Sequence, residues 1–250
     1  MILDSLTSQT AKREFDQEEG ENVDKKIMSA SLRQIHLGLC KYSRAATIQA
    51  RLVRDKLDLK HRSIVDRSVT VLTAEFLPVY TSGRREDTYA AEKVLDLTRN
   101  GNIEYHAAER GGQLTFHGPG QLVAYPILDL NAFALGARKW INLLENTVIQ
   151  VCREYNVSTR SRPDTGVWTS DNDKIASIGV HLRRNITSHG MALNVSTDLA
   201  YFDRIVACGL PSARATSLEE HGIHIPTEAV ARVFVQKLAY NLDIKDYAFA

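Results

Sequence analysis

Arg110-Gly-Gly-Gln-Leu-Thr-Phe-His117-Gly-Pro-Gly120-Gln-Leu-Val-Ala-Tyr-Pro126 is the stretch from which the rest of the chain can be organised. Its first twelve positions hold four glycines together with an Arg, a Thr and a His. Glycines let backbone amides come close to a ligand, and a few polar side chains then supply direction. A long hairpin loop whose glycines serve only left-handed φ explains the glycines, but not why Arg110 and His117 flank them. The stretch lacks the G-K-[ST] ending of a phosphate-binding P-loop and runs into a strand over Leu122 to Leu128, where a P-loop would open a helix.

Upstream, Leu32 to Leu39 reads as a short strand, and Tyr42 to Leu59 places Ala45, Ile48 and Leu52 at helical spacing. Ser68 to Ala74 is β-branched and predicts a strand, followed by turn chemistry in Pro78-Val-Tyr-Thr-Ser-Gly83, with another strand around Ile103 and Tyr105. Downstream, Trp140, Ile141, Leu144, Val148, Val151, Cys152 and Tyr155 form one apolar stripe on what reads as the longest helix. Val167-Trp168, the turn formers Ser170 to Asp173, and Lys174 to Leu182 predict a β-hairpin, with a further strand over Met191 to Val195. Thr216-x-x-Glu219 has the form of a capping box, and Thr227 to Leu242 predicts a closing helix carrying Val230, Phe234 and Leu238. The expected class is α/β or α+β with one mixed sheet. A tail over residues 1–30, polar and expected to be disordered, precedes a domain over 31–250, with a small C-terminal lobe from about residue 198.

Composition narrows the partners. With 31 basic and 30 acidic residues the net charge is +1, so no global field gathers nucleic acid or an anionic membrane. No apolar run reaches the roughly 20 residues of a membrane span. Three widely spaced cysteines, Cys40, Cys152 and Cys208, suggest neither a disulfide framework nor a zinc site. Cys152 falls on the helical stripe and Cys40 is read as structural, whereas Cys208 sits in a polar, turn-like segment before Gly209. From spacing alone, a buried small hydrophobe is still the ordinary fate of such a cysteine. Met1 to Ser29 carries Asp16, Glu18, Glu19, Glu21 and Asp24, the opposite of an Arg-rich, acid-poor presequence.

The motif R-G-G-x-x-T-F-H-x-P-G-Q-x-V-x-Y-P over Arg110 to Pro126 resembles the signature of the lipoyl(octanoyl) transferases, and three later blocks follow in the family's order. They are Lys174-Ile-Ala-Ser-Ile-Gly179-Val, His189-Gly-Met-Ala-Leu-Asn-Val195 and Ala207-Cys208-Gly-Leu. The likeness extends over about Arg33 to Leu242; it departs at Phe76, where many members have His, and in the acidic tail. It implies the fold of biotin and lipoate protein ligases and a cysteine-lysine dyad, here Cys208 as acyl-thioester nucleophile and Lys174 as the group that moves protons. It also implies an acyl pocket lined by Arg110, Gly111, Gly112, Gln113, Leu114, Thr115, Phe116, His117, Ser177, Ile178, Gly179, His189, Gly190 and Met191. Lys174 shares strand phase with Ala176, Ile178, Val180 and Leu182, which turns its stem toward the apolar face and suggests partial desolvation.

The implied donor is octanoyl-acyl carrier protein, and the implied acceptors are apo lipoyl domains of 2-oxoacid dehydrogenase complexes and the glycine cleavage H protein. No cofactor, ATP or metal is called for, because the acyl group arrives already activated. The block around Thr73 to Glu86 resembles fungal members, which implies a mitochondrial protein; a bacterial member would be cytoplasmic. Two other functions stay open. An ATP-dependent lipoate or biotin ligase would share the fold but need no nucleophilic cysteine, and a module that only docks acyl carrier or lipoyl domains would need neither dyad residue.

Overall fold

The computed structural model describes residues 28–85, 91–99, 103–206 and 212–249. The tail over residues 1–27 and the segment 207–211 with Cys208 lie outside the described residues.

The first strand, β1 (Ser31–Cys40), leads into helix α1 (Tyr42–His61) and β2 (Ser68–Phe76). Then come β3 (Val79–Ser82), α2 (Ala91–Thr98), β4 (Glu104–Ala107), β5 (Thr115–His117) and β6 (Gln121–Ile127). Helix α3 (Ala137–Glu154) precedes β7 (Arg160–Ser161), β8 (Val167–Trp168), β9 (Asp173–Arg183) and β10 (Ile186–Asn194). The chain closes with β11 (Arg214–Ala215), α4 (Thr227–Asn241) and β12 (Tyr247–Ala248). The main sheet runs β12-β1-β2-β6-β10-β9-β8-β7, with β11 on β9, and β4-β3-β5 form a second, small sheet. Strands β1 and β2 are parallel, while β2, β6, β10 and β9 pair antiparallel, so the sheet is mixed, as expected.

Pleating divides the core cleanly. On β2, Val69 and Val71 face one side and Leu72, Ala74 and Phe76 the other; on β6, Leu122 and Ala124 oppose Val123, Tyr125 and Ile127. The first face is covered by α3 through Trp140, Leu144, Val148 and Val151, and by α4 through Val230, Phe234 and Leu238. The second is covered by α1 through Tyr42, Ala45 and Leu52. Each such fully buried chain contributes roughly 1.5–3 kcal/mol, which is why the two helical stripes were readable and why they lie where they do. Residues beyond Asp198, where a small lobe is expected, contribute α4 to this same core and β12 to the sheet edge.

Three local expectations are corrected. Val79 to Ser82 is a strand and not a turn, because burial of Val79 and Tyr80 between β4 and β5 outweighs the flanking Pro78 and Gly83. The Thr216-x-x-Glu219 pattern caps no α-helix: a 3-10 turn spans Glu219–His221, and the Thr216 hydroxyl donates to Glu220 at 2.8 Å. Helix α1, with 20 residues, is longer than α3, with 18. The β9–β10 hairpin turns through Arg184 and Asn185, both left-handed (φ 50° and 63°), as a two-residue turn requires.

A buried ion pair ties α1 to the start of β2. Lys56 Nζ donates to Asp66 Oδ2 at 2.6 Å and to the Ser68 hydroxyl at 2.8 Å. Burial alone would raise the Asp66 carboxyl, but the Lys56 ammonium and Ser68 donors reverse this and hold it below its ordinary range. Asp66→Ala leaves a buried ammonium without its counter-charge, so urea denaturation is expected to show a loss of about 3–5 kcal/mol, and Lys56→Met with Asp66→Leu to recover most of it.

Candidate active site

The loop between β4 and β5 folds back around one side chain. Arg110 Nη2 donates to the Thr81 carbonyl at 2.6 Å and its hydroxyl at 2.8 Å, and Nη1 donates to the carbonyls of Gly111 and Gln113, both at 3.0 Å. Gly111 N then donates to the Val180 carbonyl of β9 at 2.9 Å. Such close approach needs bare backbone: a Cβ at Gly83 would strike the carbonyls of Gly111 and Gly112, and one at Gly179 would press on Arg110 and Gly111. Gly179 pairs across strands with Gly190, so the loop lies against the hairpin at its thinnest point.

A cleft of about 320 Å³ opens beside this loop. Arg110, Gly111, Gly112, Gln113, Thr115 and His117 form one wall. Ser177, Ile178 and Gly179 of β9 form another with His189, Gly190 and Met191 of β10, and Lys174 closes it with Pro163, Asp164 and Thr165. Leu114 and Phe116 take the opposite phase and are buried with Tyr80 and Leu97 in a separate apolar cluster. Tyr125, Ala192, Arg85 and the 163–165 turn also line the cleft and were not anticipated. The turn had a signal in Pro163-Asp-Thr-Gly166, four turn formers ahead of the hairpin; Tyr125 had none beyond the alternation of β6.

The two histidines are locked as neutral donors and acceptors. The Gln121 amide donates to Asn194 Oδ1 at 2.9 Å, so its oxygen takes the His117 Nδ1 proton at 2.7 Å. Burial, with help from the Arg110 charge, pushes the His117 imidazole down to about 4. His189 sits at φ 56°, with its backbone N–H on Gln49 Oε1 at 2.7 Å and Nε2 facing the Gln49 amide at 3.5 Å. That contact leaves the proton on Nδ1, which has no hydrogen-bond partner among the described residues. Burial and the nearby Arg110 charge push His189 to about 3. Phe76, where the resemblance departs, meets the His117 ring edge-on at 5.8 Å.

Lys174 is buried despite lying at the start of β9. Its Nζ donates to the Thr165 carbonyl at 2.9 Å and lies 5.0 Å from the Trp168 ring centre. Gly166, at φ 136°, makes room for it, since a Cβ there would fall on Lys174 Cε. Cys40 and Cys152 are buried in the two core faces, and burial pushes both thiols up, that of Cys152 to about 12.

Because His117 and His189 bind protons more weakly folded than unfolded, stability is full above about pH 6.5 and falls as pH drops from there toward 4. Chemical denaturation across that range should show the fall, and a His117→Gln variant should show a shallower one.

Comparison with known proteins places this architecture. The family model described as the lipoyl protein ligase A/B catalytic domain matches residues 47–239. A probable octanoyltransferase of Schizosaccharomyces pombe is 43% identical over 202 residues, covering 80% of this chain and 90% of its own. The mitochondrial octanoyl-[acyl-carrier-protein]:protein N-octanoyltransferase of Danio rerio is 42% identical, covering 78% and 84%. Among solved structures, a lipoate protein ligase from T. acidophilum superposes with TM-score 0.65 at 15% identity over 89% of each chain, a likeness of fold. A biotin protein ligase from Aquifex aeolicus superposes with TM-score 0.52 at 15% identity over 84% of this chain and 70% of that one. No helix among the described residues is long and apolar enough to cross a membrane. The chain thus belongs to the lipoyl protein ligase A/B catalytic-domain family and, within it, to the octanoyltransferases, the acyltransferases of protein lipoylation.

Proposed function

We propose that the chain carries an octanoyl group from octanoyl-acyl carrier protein to a lysine of an apo lipoyl domain through a thioester on Cys208, with Lys174 handling the protons. The observation that carries this reading is the setting of Lys174, an amine buried in the cleft wall. Strand β11 pairs with β9 at Lys174, and Phe202 and Ala213, which flank the segment containing Cys208, line the same small space as Lys174 and Ser177.

In the first step the Cys208 thiolate attacks the donor's thioester carbonyl, and the carbon–sulfur bond to phosphopantetheine breaks as the new one forms. Lys174 takes the Cys208 thiol proton and returns it to the departing thiolate. In the second step the acceptor's neutral lysine attacks the acyl-Cys208 carbonyl, the carbon–sulfur bond breaks as the amide forms, and Lys174 takes the surplus amine proton and passes it to the departing Cys208 sulfur. The His189 Nδ1–H, on the cleft wall, is a donor available to a developing oxyanion. On this reading the acceptors are apo lipoyl domains of 2-oxoacid dehydrogenase complexes and the glycine cleavage H protein, and the names of the mitochondrial relatives support a mitochondrial setting.

After incubation with octanoyl-acyl carrier protein, denaturing mass spectrometry should find one hydroxylamine-labile octanoyl adduct, absent from Cys208→Ser; an adduct on Cys40 or Cys152 instead overturns the assignment. Transfer to an apo lipoyl domain should proceed with EDTA and without nucleotide, whereas product only from free octanoate with ATP and Mg²⁺ would indicate a ligase. Lys174→Met should keep the fold and slow transfer by about 10² to 10⁴. Gly166→Ala should slow it by a comparable order by displacing the same amine, with circular dichroism unchanged.

A further inference from the structure

Lys174 is held by one peptide group, and that group is held from behind. The Thr165 carbonyl, which accepts from Lys174 Nζ at 2.9 Å, and the Gly166 N–H, which donates to Glu145 Oε1 at 2.9 Å, belong to the same planar unit. Bonded along both edges, this unit cannot rotate without losing one contact or the other. Glu145 comes from α3, on the side turned to the core, and is only 7% exposed. A carboxyl there costs desolvation that an apolar residue in the same stripe would avoid. Burial pushes its proton affinity up, while the Gly166 N–H and the Lys174 charge draw it back.

We propose that Glu145 is a positioning residue for Lys174: through the Thr165–Gly166 peptide it fixes where the ammonium sits. This rests on the reading of Lys174 as the proton-handling group. Other charges around the amine are arranged differently. Arg138 lies on the exposed part of α3, and Asp164 belongs to the same turn as Thr165. Asp173 is engaged by Arg214 at 2.9 Å, and Arg162 rests on the Trp168 ring at 5.0 Å. None of these bonds the peptide that holds Lys174. The arrangement also accounts for Gly166: its backbone donates to Glu145 while its missing side chain leaves space for the lysine stem.

The test uses Glu145→Gln, which keeps an acceptor oxygen but drops the charge, and Glu145→Leu, which drops both. Steady-state transfer is measured for each variant, with kcat and the KM for the octanoyl donor read separately and the fold checked by circular dichroism. Glu145→Leu should lower kcat by about 10² with little change in KM for the octanoyl donor. Glu145→Gln, whose amide oxygen can still accept from the Gly166 N–H, should restore most of kcat, a rescue that a role of Glu145 in packing alone would not produce. Wild-type kcat in Glu145→Leu, with Lys174→Met inactive, or a Glu145→Gln as slow as Glu145→Leu, overturns the proposal and leaves the reading of Lys174 standing. Wild-type transfer in Lys174→Met overturns that reading instead, whatever the Glu145 variants do. If Glu145→Leu fails to fold, Glu145→Ala, which also removes the acceptor, is read in its place against Glu145→Gln.

Discussion

The Arg110 guanidinium, spread over the carbonyl and hydroxyl of Thr81 and the carbonyls of Gly111 and Gln113, fastens the glycine-rich loop to the small sheet and turns it against β9. Its rigid planar fork can satisfy acceptors on two segments at once, which a lysine ammonium does less well. Much else follows from that placement. The loop's close approach requires Gly83 and Gly179 to lack side chains, and it leaves Thr115 and His117 facing the cleft while Leu114 and Phe116 face the apolar cluster. The same charge helps keep His117 and His189 neutral.

The cleft is therefore an environment of fixed dipoles rather than of mobile charge. Gln121 and Gln49 set the imidazole tautomers, burial keeps the Tyr125 phenol protonated, and the amine of Lys174 is held by a carbonyl and an aromatic face. Such a site suits acyl transfer between thioesters and amines, in which charge develops briefly on a carbonyl oxygen and preoriented donors need not reorganise to meet it. The frame beneath it is shared with ligases, so the mixed sheet and its helices do not by themselves decide the reaction.

Lys174 and Glu145 illustrate how far local pattern reaches. The strand phase of Lys174 pointed its stem toward the apolar side, and the amine is indeed buried. Glu145 gave no signal, because a single acid beside an apolar stripe reads as the stripe's solvated edge. Its burial depends on the 163–166 turn packing over α3, a contact between segments some twenty residues apart.

The sequence by itself determined the alternation of the central strands, the two amphipathic helices over the sheet and the glycine-rich loop, since each follows from periodicity or steric need within one short window. Resemblance across four ordered blocks pointed to the family and to most of the cleft lining. Only the tertiary structure decided that Pro78-Val-Tyr-Thr-Ser-Gly83 is a strand, that Thr216 caps no helix, that Leu114 and Phe116 turn away from the cleft, and that Gln49, Tyr125, Thr165 and Glu145 support it. Each of these depends on which distant segment packs against the residue, and burial by such a partner outweighs the propensity of a few residues on either side.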